Sequence, residues 1–185
     1  MISSKILDTF QALDLLNLCE FSPTKKWKLI YRASEHGFHG ANYYYMCHDV
    51  KKTLTIIKTT NGNIFGGYIE SALKGTGYTC FVSDPNAFIF SLVNLDNKPF
   101  KAKCINSQRA AKIYSSNYGH YYGPCFGDED IFISSNSNQN SSSYSNIGTT
   151  YRNNAIDQSK YPTILAGSYN FTTTEIEVYT KATLK

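Results

Sequence analysis

Residues 53–68 read TLTIIKTTNGNIFGGY and predict a β-hairpin. Residues 53–58 are rich in β-branched side chains, which favour a strand. The pair Asn61-Gly62 that follows is the strongest hairpin signal in the chain. We therefore expect residues 64–70 to return as a second, antiparallel strand.

Two consecutive glycines, Gly66 and Gly67, interrupt the returning strand. Glycine weakens a strand because it loses more conformational freedom on folding and has no side chain to pack. A β-bulge, or a close approach by a neighbouring backbone, would explain both residues. We expect one of these two features here.

Strand patterns extend on both sides of this hairpin. In residues 27–32 the side chains of Trp27, Leu29 and Tyr31 occupy alternate positions, which predicts a strand. Residues 87–93 are apolar on both faces, as is typical of a central strand covered on both sides. Further strands are expected at residues 100–104, 130–134, 163–166 and 174–180, with turns at residues 84–86 and 94–99.

These strands, separated by turn signals and accompanied by only two helical segments, predict a mostly β fold with a few helices. The expected architecture is a two-sheet antiparallel β-sandwich. Strands and helices do not alternate, which argues against a nucleotide-binding α/β fold. The length of 185 residues fits one domain. We expect an N-terminal helix within residues 1–22 and the sandwich within residues 23–185.

The first helix is expected over residues 4–18, because apolar residues recur there at helical spacing. Its polar face is not rich in Lys or Arg, so packing on the domain is favoured over binding to a membrane surface. A second, short helix is expected over residues 41–48, packed by Tyr45 and Cys47. The stripe of the first helix consists of Ile6, Phe10, Leu13 and Leu16, and Ser3 or Ser4 would cap it.

Composition and charge narrow the possible partners and location. The net charge is only +4 and the basic residues are scattered, so we expect no nucleic-acid partner. No apolar run approaches the roughly 20 residues needed to cross a bilayer, so no integral membrane segment is expected. The start of the chain does not resemble a signal peptide, and five cysteines are an odd number. We therefore expect a cytoplasmic protein with reduced thiols. Separately, we expect it to be a monomer.

A metal site or a catalytic nucleophile is poorly supported by the sequence. The metal-ligand residue types that lie closest together are His36, His39, Cys47 and His48. Adjacent residues on a helix point about 100° apart, and the chain has no Cys-x-x-Cys pair, so no metal or other cofactor is expected. Neither a Gly-x-Ser-x-Gly elbow nor a phosphate-binding loop is present.

Two long segments have unusual compositions. Residues 134–150 are rich in Ser and Asn and predict a long polar loop, mobile or laid over the surface. Residues 114–126 are rich in aromatic side chains, with Gly119 and Gly123 spaced among them. Their rings form either a binding surface or the packed end of the sandwich, and packing is the favoured interpretation. The residues concerned are Tyr118, Gly119, Tyr121, Tyr122, Gly123, Phe126 and the following Gly127.

Acidic residues are the remaining candidates for a functional site. Glu70 follows the double glycine, and Asp128, Glu129 and Asp130 form a compact run. Glu175 and Glu177 occupy alternate positions of the last strand and would form an acidic face. Paired carboxylates can perform acid-base catalysis, but nothing in the sequence brings these groups together. A partner contact or a solvated surface is therefore favoured.

Four runs of sequence together resemble the TLDc domain family. They are WKLIYRASEHGF (27–38), TLTIIKTTNGNIFGGY (53–68), DPNAFIFSL (84–92) and EIEVY (175–179), and they occur in the family's order. The resemblance covers nearly the whole chain after about residue 23. It departs from the family's pattern at residues 114–126, which are aromatic and less glycine-rich here, and in the Ser/Asn-rich segment.

The resemblance implies a two-sheet sandwich and a role in oxidative-stress protection. It also implies binding and modulation of the vacuolar-type proton-pumping ATPase, and no catalytic residues are established for the family. We therefore expect a non-enzymatic, protein-binding regulatory module. A thiol-based antioxidant and an undescribed hydrolase, using Glu70 or residues 128–130, are the alternatives. The candidate partner-binding residues are Gly66, Gly67, Glu70, Asp128, Glu129, Asp130, Glu175 and Glu177.

Overall fold

A computed structural model of the chain describes residues 2–75, 77–114 and 121–181. The helices in this part of the chain are α1 (Thr9–Leu18), α2 (Ala33–His36) and α3 (Gly40–Cys47). The strands are β1 (Trp27–Arg32), β2 (Thr53–Thr59), β3 (Ile64–Ile69), β4 (Cys80–Val82), β5 (Phe88–Val93), β6 (Phe100–Cys104), β7 (Ala111–Ile113), β8 (Cys125–Phe126), β9 (Ile131–Phe132), β10 (Ser143–Ser145), β11 (Tyr151–Arg152), β12 (Asn170–Phe171) and β13 (Thr173–Lys181).

The strands form two antiparallel sheets, as expected. Within the described residues the first sheet has the order β1-β13-β2-β3-β5-β6-β11, and the second has the order β12-β10-β9-β8-β7-β4. The main core lies between the sheets and includes Phe65, Ile89 and Phe126. A second apolar cluster covers the outer face of the first sheet and includes Leu15 and Leu16 of α1. The protein is therefore a β-sandwich with a helix packed on one outer face.

The β2–β3 hairpin and the central position of β5 agree with the sequence. Residues Thr53 to Lys58 pair with Ile69 to Ile64, and Gly62 adopts a φ of 82° in the connecting turn. In β5, Phe88 and Phe90 face the α1 side while Ile89 faces the main core. Apolar side chains on both faces of one strand thus correspond to coverage on both sides.

Neighbouring residues approach the backbone closely at both Gly66 and Gly67, which explains the double glycine. An ideal Cβ on Gly66 would lie 1.9 Å from the carbonyl oxygen of Thr55, and one on Gly67 would lie 2.4 Å from the Phe126 ring. The irregularity in the pairing of β3 with β5 lies elsewhere, between Ile64 and Phe65. Gly66 therefore permits tight contact within the first sheet, and Gly67 permits contact between the two sheets.

The first helix begins later than predicted. Asp8, and not Ser3 or Ser4, caps it through a reciprocal capping box with Gln11. The Ser4 hydroxyl instead donates a hydrogen bond to the carboxylate of Glu177. The buried face consists of Ala12, Leu15 and Leu16, whereas Phe10 of the predicted stripe is 80% exposed. In α3, Cys47 is buried as expected, but Tyr45 is exposed.

Two strand and loop predictions were wrong. Residues 163–166 form turns, because Ile164 and Gly167 donate hydrogen bonds to carbonyl groups four residues earlier in the chain. The Ser/Asn-rich segment is not only a surface loop, since it contains β10, an interior strand of the second sheet. Ser137 and Ser143 are buried there with hydroxyl partners on Thr173 and Ser134, so small polar side chains fill interior positions.

Candidate functional site

The outer face of the second sheet carries a row of aromatic rings. The inner face contributes Val82, Ala111 and Ile131 to the main core, so the alternate residues of the same strands point outward. Cross-strand pairing places Phe81 opposite Lys112, and Tyr144 opposite Phe132. Neighbouring outward rings contact one another, and we call this set the aromatic row: Tyr114, Tyr122, Phe132, Tyr144 and Tyr169.

Ring geometry shows that the aromatic row is a continuous ladder. The Phe132 and Tyr144 rings stack with centroids 4.9 Å apart, and Tyr144 and Tyr169 stack with centroids 5.4 Å apart and planes within 8°. Tyr114 meets the edge of Phe132 at 5.7 Å. Such cross-strand aromatic pairs stabilise a sheet while leaving ring edges and hydroxyl groups at the surface. Tyr169, at the end of the row, is 44% exposed.

Glu129 lies at the centre of this face, in the turn between β8 and β9. Its carboxylate accepts hydrogen bonds from the ammonium group of Lys112 and from the hydroxyl groups of Tyr114 and Tyr144. Partial burial opposes ionisation, but these donors outweigh it and lower the pKa of Glu129 to about 2. The carboxylate is therefore a fixed negative charge that holds two members of the aromatic row in place.

Glu129 also has a φ of 70°, in the left-handed region. This conformation costs a non-glycine residue on the order of 1 kcal/mol. Its hydrogen bonds to three side chains of the same face offset that cost. The turn is thus held in a defined shape, which is typical of residues that position a surface feature.

Two cations border the aromatic row on the β4 side. The Arg109 guanidinium lies 2.5 Å from the Asp128 carboxylate and 4.7 Å from the centroid of the Phe81 ring. Lys112 contacts Asp128 and Glu129 and lies 5.1 Å from the centroid of the Tyr114 ring. Arg109 is nearly half exposed. Exposed arginine and tyrosine side chains beside fixed carboxylates are typical of protein-contact surfaces.

The three acidic side chains of residues 128–130 point in different directions. Asp128 and Glu129 share Lys112 on the outer face of the second sheet. Asp130 is fully buried, and its carboxylate accepts hydrogen bonds from the backbone N–H groups of Gly148, Thr150 and Tyr151. Asp130 therefore shapes the segment before β11, whereas the first two residues belong to the surface.

The two glutamates of the last strand do not form an exposed acidic face. Glu177 is fully buried, and its carboxylate accepts hydrogen bonds from Arg32, the Lys5 backbone N–H, Ser4 and Tyr179. Glu175 accepts from the backbone N–H groups of Ser34 and Ile176. Both carboxylates tie β13 to segments from the beginning of the chain, and Glu177 is held by the buried ion pair with Arg32.

Glu70 lies at the end of β3 in the first sheet. Its side chain is partly exposed, accepts a hydrogen bond from Asn86 and lies 4.0 Å from the Lys52 ammonium group. The buried Asp84 carboxylate holds the backbone there by accepting from the N–H groups of Glu70 and Ser71. Among the candidate residues, the structure brings only Asp128 and Glu129 together, through Lys112.

A small cleft of about 40 Å³ lies beside the aromatic row, between α3 and strands β7 and β8. Two buried thiols, Cys47 and Cys125, line it together with Tyr43, Leu73 and Tyr114. Burial, reinforced by the Glu129 carboxylate, raises the pKa of Cys125 to about 12. Burial also raises the pKa of Cys47 far above neutrality. These thiols are protonated at neutral pH and are poor nucleophiles.

Sequence reasoning missed Lys112, Tyr114, Tyr144 and Tyr169 as members of this face. Tyr144 offered the best available signal, because Ser143, Tyr144 and Ser145 alternate within the Ser/Asn-rich segment. Three residues are too few to distinguish a strand from a loop. Of the aromatic loop, Tyr122 belongs to the row and Phe126 to the core, whereas Tyr118 and Gly119 lie outside the described residues.

The described residues contain neither a cluster of metal-ligand side chains nor a membrane-spanning helix. No group of three or more His, Cys, Asp or Glu side chains in residues 2–75, 77–114 and 121–181 is arranged to hold a metal ion. In the same ranges, every helix is too short or too polar to cross a bilayer.

Comparison with protein families identifies the family of this chain. The TLDc domain family matches residues 1–181, which include α1 as well as both sheets. No curated protein matches the chain significantly. The boundary at residue 22 between an N-terminal helical segment and the sandwich stays a prediction. Because the family match covers nearly the whole length, the chain belongs to the TLDc domain family.

Proposed function

We propose that this TLDc domain is a non-enzymatic regulatory module that binds the vacuolar-type proton-pumping ATPase and modulates it. Through this activity it protects cells against oxidative stress. The module acts as a monomer in the cytoplasm, at the surface of acidic organelles. Membership of the TLDc family supports this proposal, since it is the activity that the resemblance implies.

The observation that carries the proposal is the outer face of the second sheet. It presents Arg109, Phe81 and Tyr169 to solvent next to the fixed carboxylates of Asp128 and Glu129. Arginine and aromatic side chains dominate the binding energy of many protein interfaces, and preorganised charges select the partner. A rigid face loses little conformational entropy when a partner binds.

The candidate partner-binding residues differ in how accessible their side chains are to a partner. Glu70, Asp128 and Glu129 expose part of their side chains and can contact a partner directly. The buried candidates act through the fold: they are Gly66, Gly67, Asp130, Glu175 and Glu177. Substitution of a buried residue therefore tests stability, and only the accessible residues test recognition.

The experiment uses the purified chain and membrane vesicles that contain the proton pump. Binding is measured by co-sedimentation, and modulation by the rate of ATP-driven acidification. The wild-type chain is expected to bind and to change that rate, and the double variant Arg109→Ala/Tyr169→Ala is expected to bind about tenfold or more weakly. Phe10→Ala is the matched control, because Phe10 is an exposed aromatic residue on α1.

The outcomes distinguish a wrong function from a wrong assignment of the contact surface. Failure of the wild-type chain to bind or change acidification would contradict the proposed function. Full binding by the double variant would leave the function standing and exclude this face as the contact. Loss of binding by Phe10→Ala alone would place the contact on α1.

A thiol-based antioxidant is the second candidate. Cys80 and Cys104 are the partly exposed cysteines, and we propose Cys80 as the reactive one. Burial raises the pKa of Cys19 to about 12, and burial also raises the pKa values of Cys47, Cys104 and Cys125. Cys80 is partly exposed on β4, an edge strand. If Cys80 carries the activity, Cys80→Ser removes protection of cells against peroxide. Retained protection in the Cys80→Ser variant would exclude Cys80 as the reactive thiol.

A hydrolase using Glu70 or the Asp128–Asp130 run is the third candidate. The carboxylates of Glu70, Glu129 and Asp130 already accept hydrogen bonds from donors of this chain, and Asp128 is paired with Arg109. These contacts favour structural and recognition roles over acid-base catalysis.

A further inference from the structure

Three aromatic rings surround the ammonium group of Lys181 at the end of the first sheet. The Nζ atom lies 4.1 Å from the centroid of Phe21, 5.2 Å from that of Tyr68 and 5.7 Å from that of Trp27. We call these three rings the ammonium cage. They come from the segment after α1, from β3 and from β1, so the tertiary fold assembles the cage.

The cage is built from rings that support one another. The Phe21 centroid lies 5.1 Å from that of Trp27 and 5.0 Å from that of Tyr68. Tyr68 in turn stacks on Phe88. Trp27 and Tyr68 are buried, whereas Phe21 and Lys181 are partly exposed, so the cage opens to solvent where Lys181 enters it.

The chemistry of the cage suits a cation that needs no hydrogen-bond acceptor. The contacts to Lys181 are with ring faces, which attract positive charge through their quadrupole. A primary ammonium group is strongly hydrated and loses that hydration on entry. Burial accordingly lowers the pKa of Lys181; Glu70 opposes this shift, and Lys52 and Lys25 add to it. A methylated ammonium keeps its charge while losing less hydration.

We propose that Phe21, Trp27 and Tyr68 form a binding site for methylated ammonium groups, and that Lys181 occupies it when no such ligand is bound. The Lys181 ammonium stands in for the ligand cation. The shared ligand chemistry is a quaternary ammonium, which occurs in trimethyl-lysine side chains and in free choline. The site lies on the first sheet and is independent of the proposed contact face on the second sheet.

The chain contains a single tryptophan, Trp27, so intrinsic fluorescence reports directly on the cage. Purified wild-type protein and Lys181→Ala are titrated with tetramethylammonium chloride, with ammonium chloride at equal ionic strength as the reference. Lys181→Ala is expected to show a saturable change with a midpoint about tenfold lower than that of the wild type, because the internal competitor is gone. Lys28→Ala is the matched control and should behave like the wild type, since Lys28 is exposed on the same strand as Trp27.

Phe21→Leu in the Lys181→Ala background tests the role of the rings. Leucine keeps the apolar bulk but removes the π face, so the midpoint is expected to rise about tenfold. Thermal unfolding of each variant verifies that it is folded. If Lys181→Ala does not fold, Lys181→Gln replaces it, and the upfield shift of the tetramethylammonium proton signal in wild-type protein provides a second readout.

The proposal is overturned if the folded variant shows no saturable change, or if ammonium chloride produces the same response. It is also overturned if Phe21→Leu leaves the midpoint unchanged. Titrations with choline and with a short trimethyl-lysine peptide then distinguish the sources. Tighter binding of either one supports the site and identifies its natural ligand type.

Discussion

Glu129 illustrates how one carboxylate organises a surface. It joins Lys112 of β7 and Tyr114, the residue that follows β7, to Tyr144 of β10. Because the hydrogen bonds require the ionised form, they lower the pKa of Glu129 from 4.5 to about 2. The same residue raises the pKa of Tyr144, although burial is the larger cause of that shift.

Glu129→Gln is expected to lower the free energy of unfolding by about 1 to 2 kcal/mol at pH 7, after allowance for solvent screening. The folded-state pKa lies below the unfolded-state value, so the ionised carboxylate stabilises the fold above pH 4.5. This contribution is lost as the pH falls from 4.5 toward 2. Denaturant unfolding at pH 7 and pH 3 should therefore show a difference between wild type and variant that shrinks at pH 3.

Asp14→Asn is the control for this pH dependence, since Asp14 is exposed on α1. It should change stability little at either pH. A wild-type advantage over Glu129→Gln that is equal at pH 7 and pH 3 would contradict the role assigned to the ionised Glu129.

Glu177 and Glu35 share Arg32 but differ in burial. Arg32 donates to the fully buried Glu177 and to Glu35, whose side chain is 42% exposed. Glu177→Ala is expected to cost about 3 to 5 kcal/mol, because it leaves Arg32 and the other donors without their buried acceptor. Glu35→Ala should cost less than about 1 kcal/mol, as is usual for exposed ion pairs.

Chemical unfolding of both variants measures this difference. Similar losses for Glu177→Ala and Glu35→Ala would show that the buried network contributes no more than a surface ion pair. The sequence could not rank the two residues, because the burial of Glu177 depends on segments far away in the chain, including Ser4, Lys5 and Arg32.

At the scale of the element, the β2–β3 hairpin has glycines with different roles. A Cβ on Gly66 would collide with the Thr55 backbone, whereas one on Gly62 meets no atom within 4 Å. Gly66→Ala should therefore prevent folding or cost more than about 3 kcal/mol, since main-chain atoms of a central sheet must move. Gly62→Ala should cost about 1 kcal/mol, from the positive φ alone.

Circular dichroism and denaturant unfolding of these two variants provide the comparison. If Gly66→Ala is no less stable than Gly62→Ala, the close approach is not what requires glycine at position 66. The presence of a special feature could be predicted from two glycines within a strand. The choice between a bulge and a close approach could not, because it depends on the neighbouring strand.

At the scale of the whole molecule, burial of the thiols governs their reactivity. Cys19, Cys47 and Cys125 lie inside the packed layers, and Cys80 lies on an edge strand. A thiol-specific reagent applied to the native protein near neutral pH should label Cys80 first, and Cys80→Ser should remove the fast phase. In denaturant all five cysteines should react. Rapid native labelling of Cys125 would show that the cleft beside α3 opens.

The N-terminal segment is bound to the last strand of the fold. Ser4 and the Lys5 backbone bind Glu177 of β13, and α1 then covers the outer face of the first sheet. The ammonium cage forms at the other end of the β1–β13 pair, where the segment after α1 meets β1, β3 and β13. The segment that precedes the sandwich in sequence thus contributes to its stability and to the candidate ammonium site.

Local patterns alone determined much of the architecture. The β2–β3 hairpin, the two-faced strand β5, the alternation in β1 and the antiparallel sandwich were all predictable, because turn chemistry and a period of two act over a few residues. The tertiary structure alone decided which carboxylates are buried, that the Ser/Asn-rich segment contains the interior strand β10, and that Glu129 meets Tyr144. These outcomes depend on hydrogen bonds and ring contacts between residues distant in sequence, and no local pattern encodes such partners.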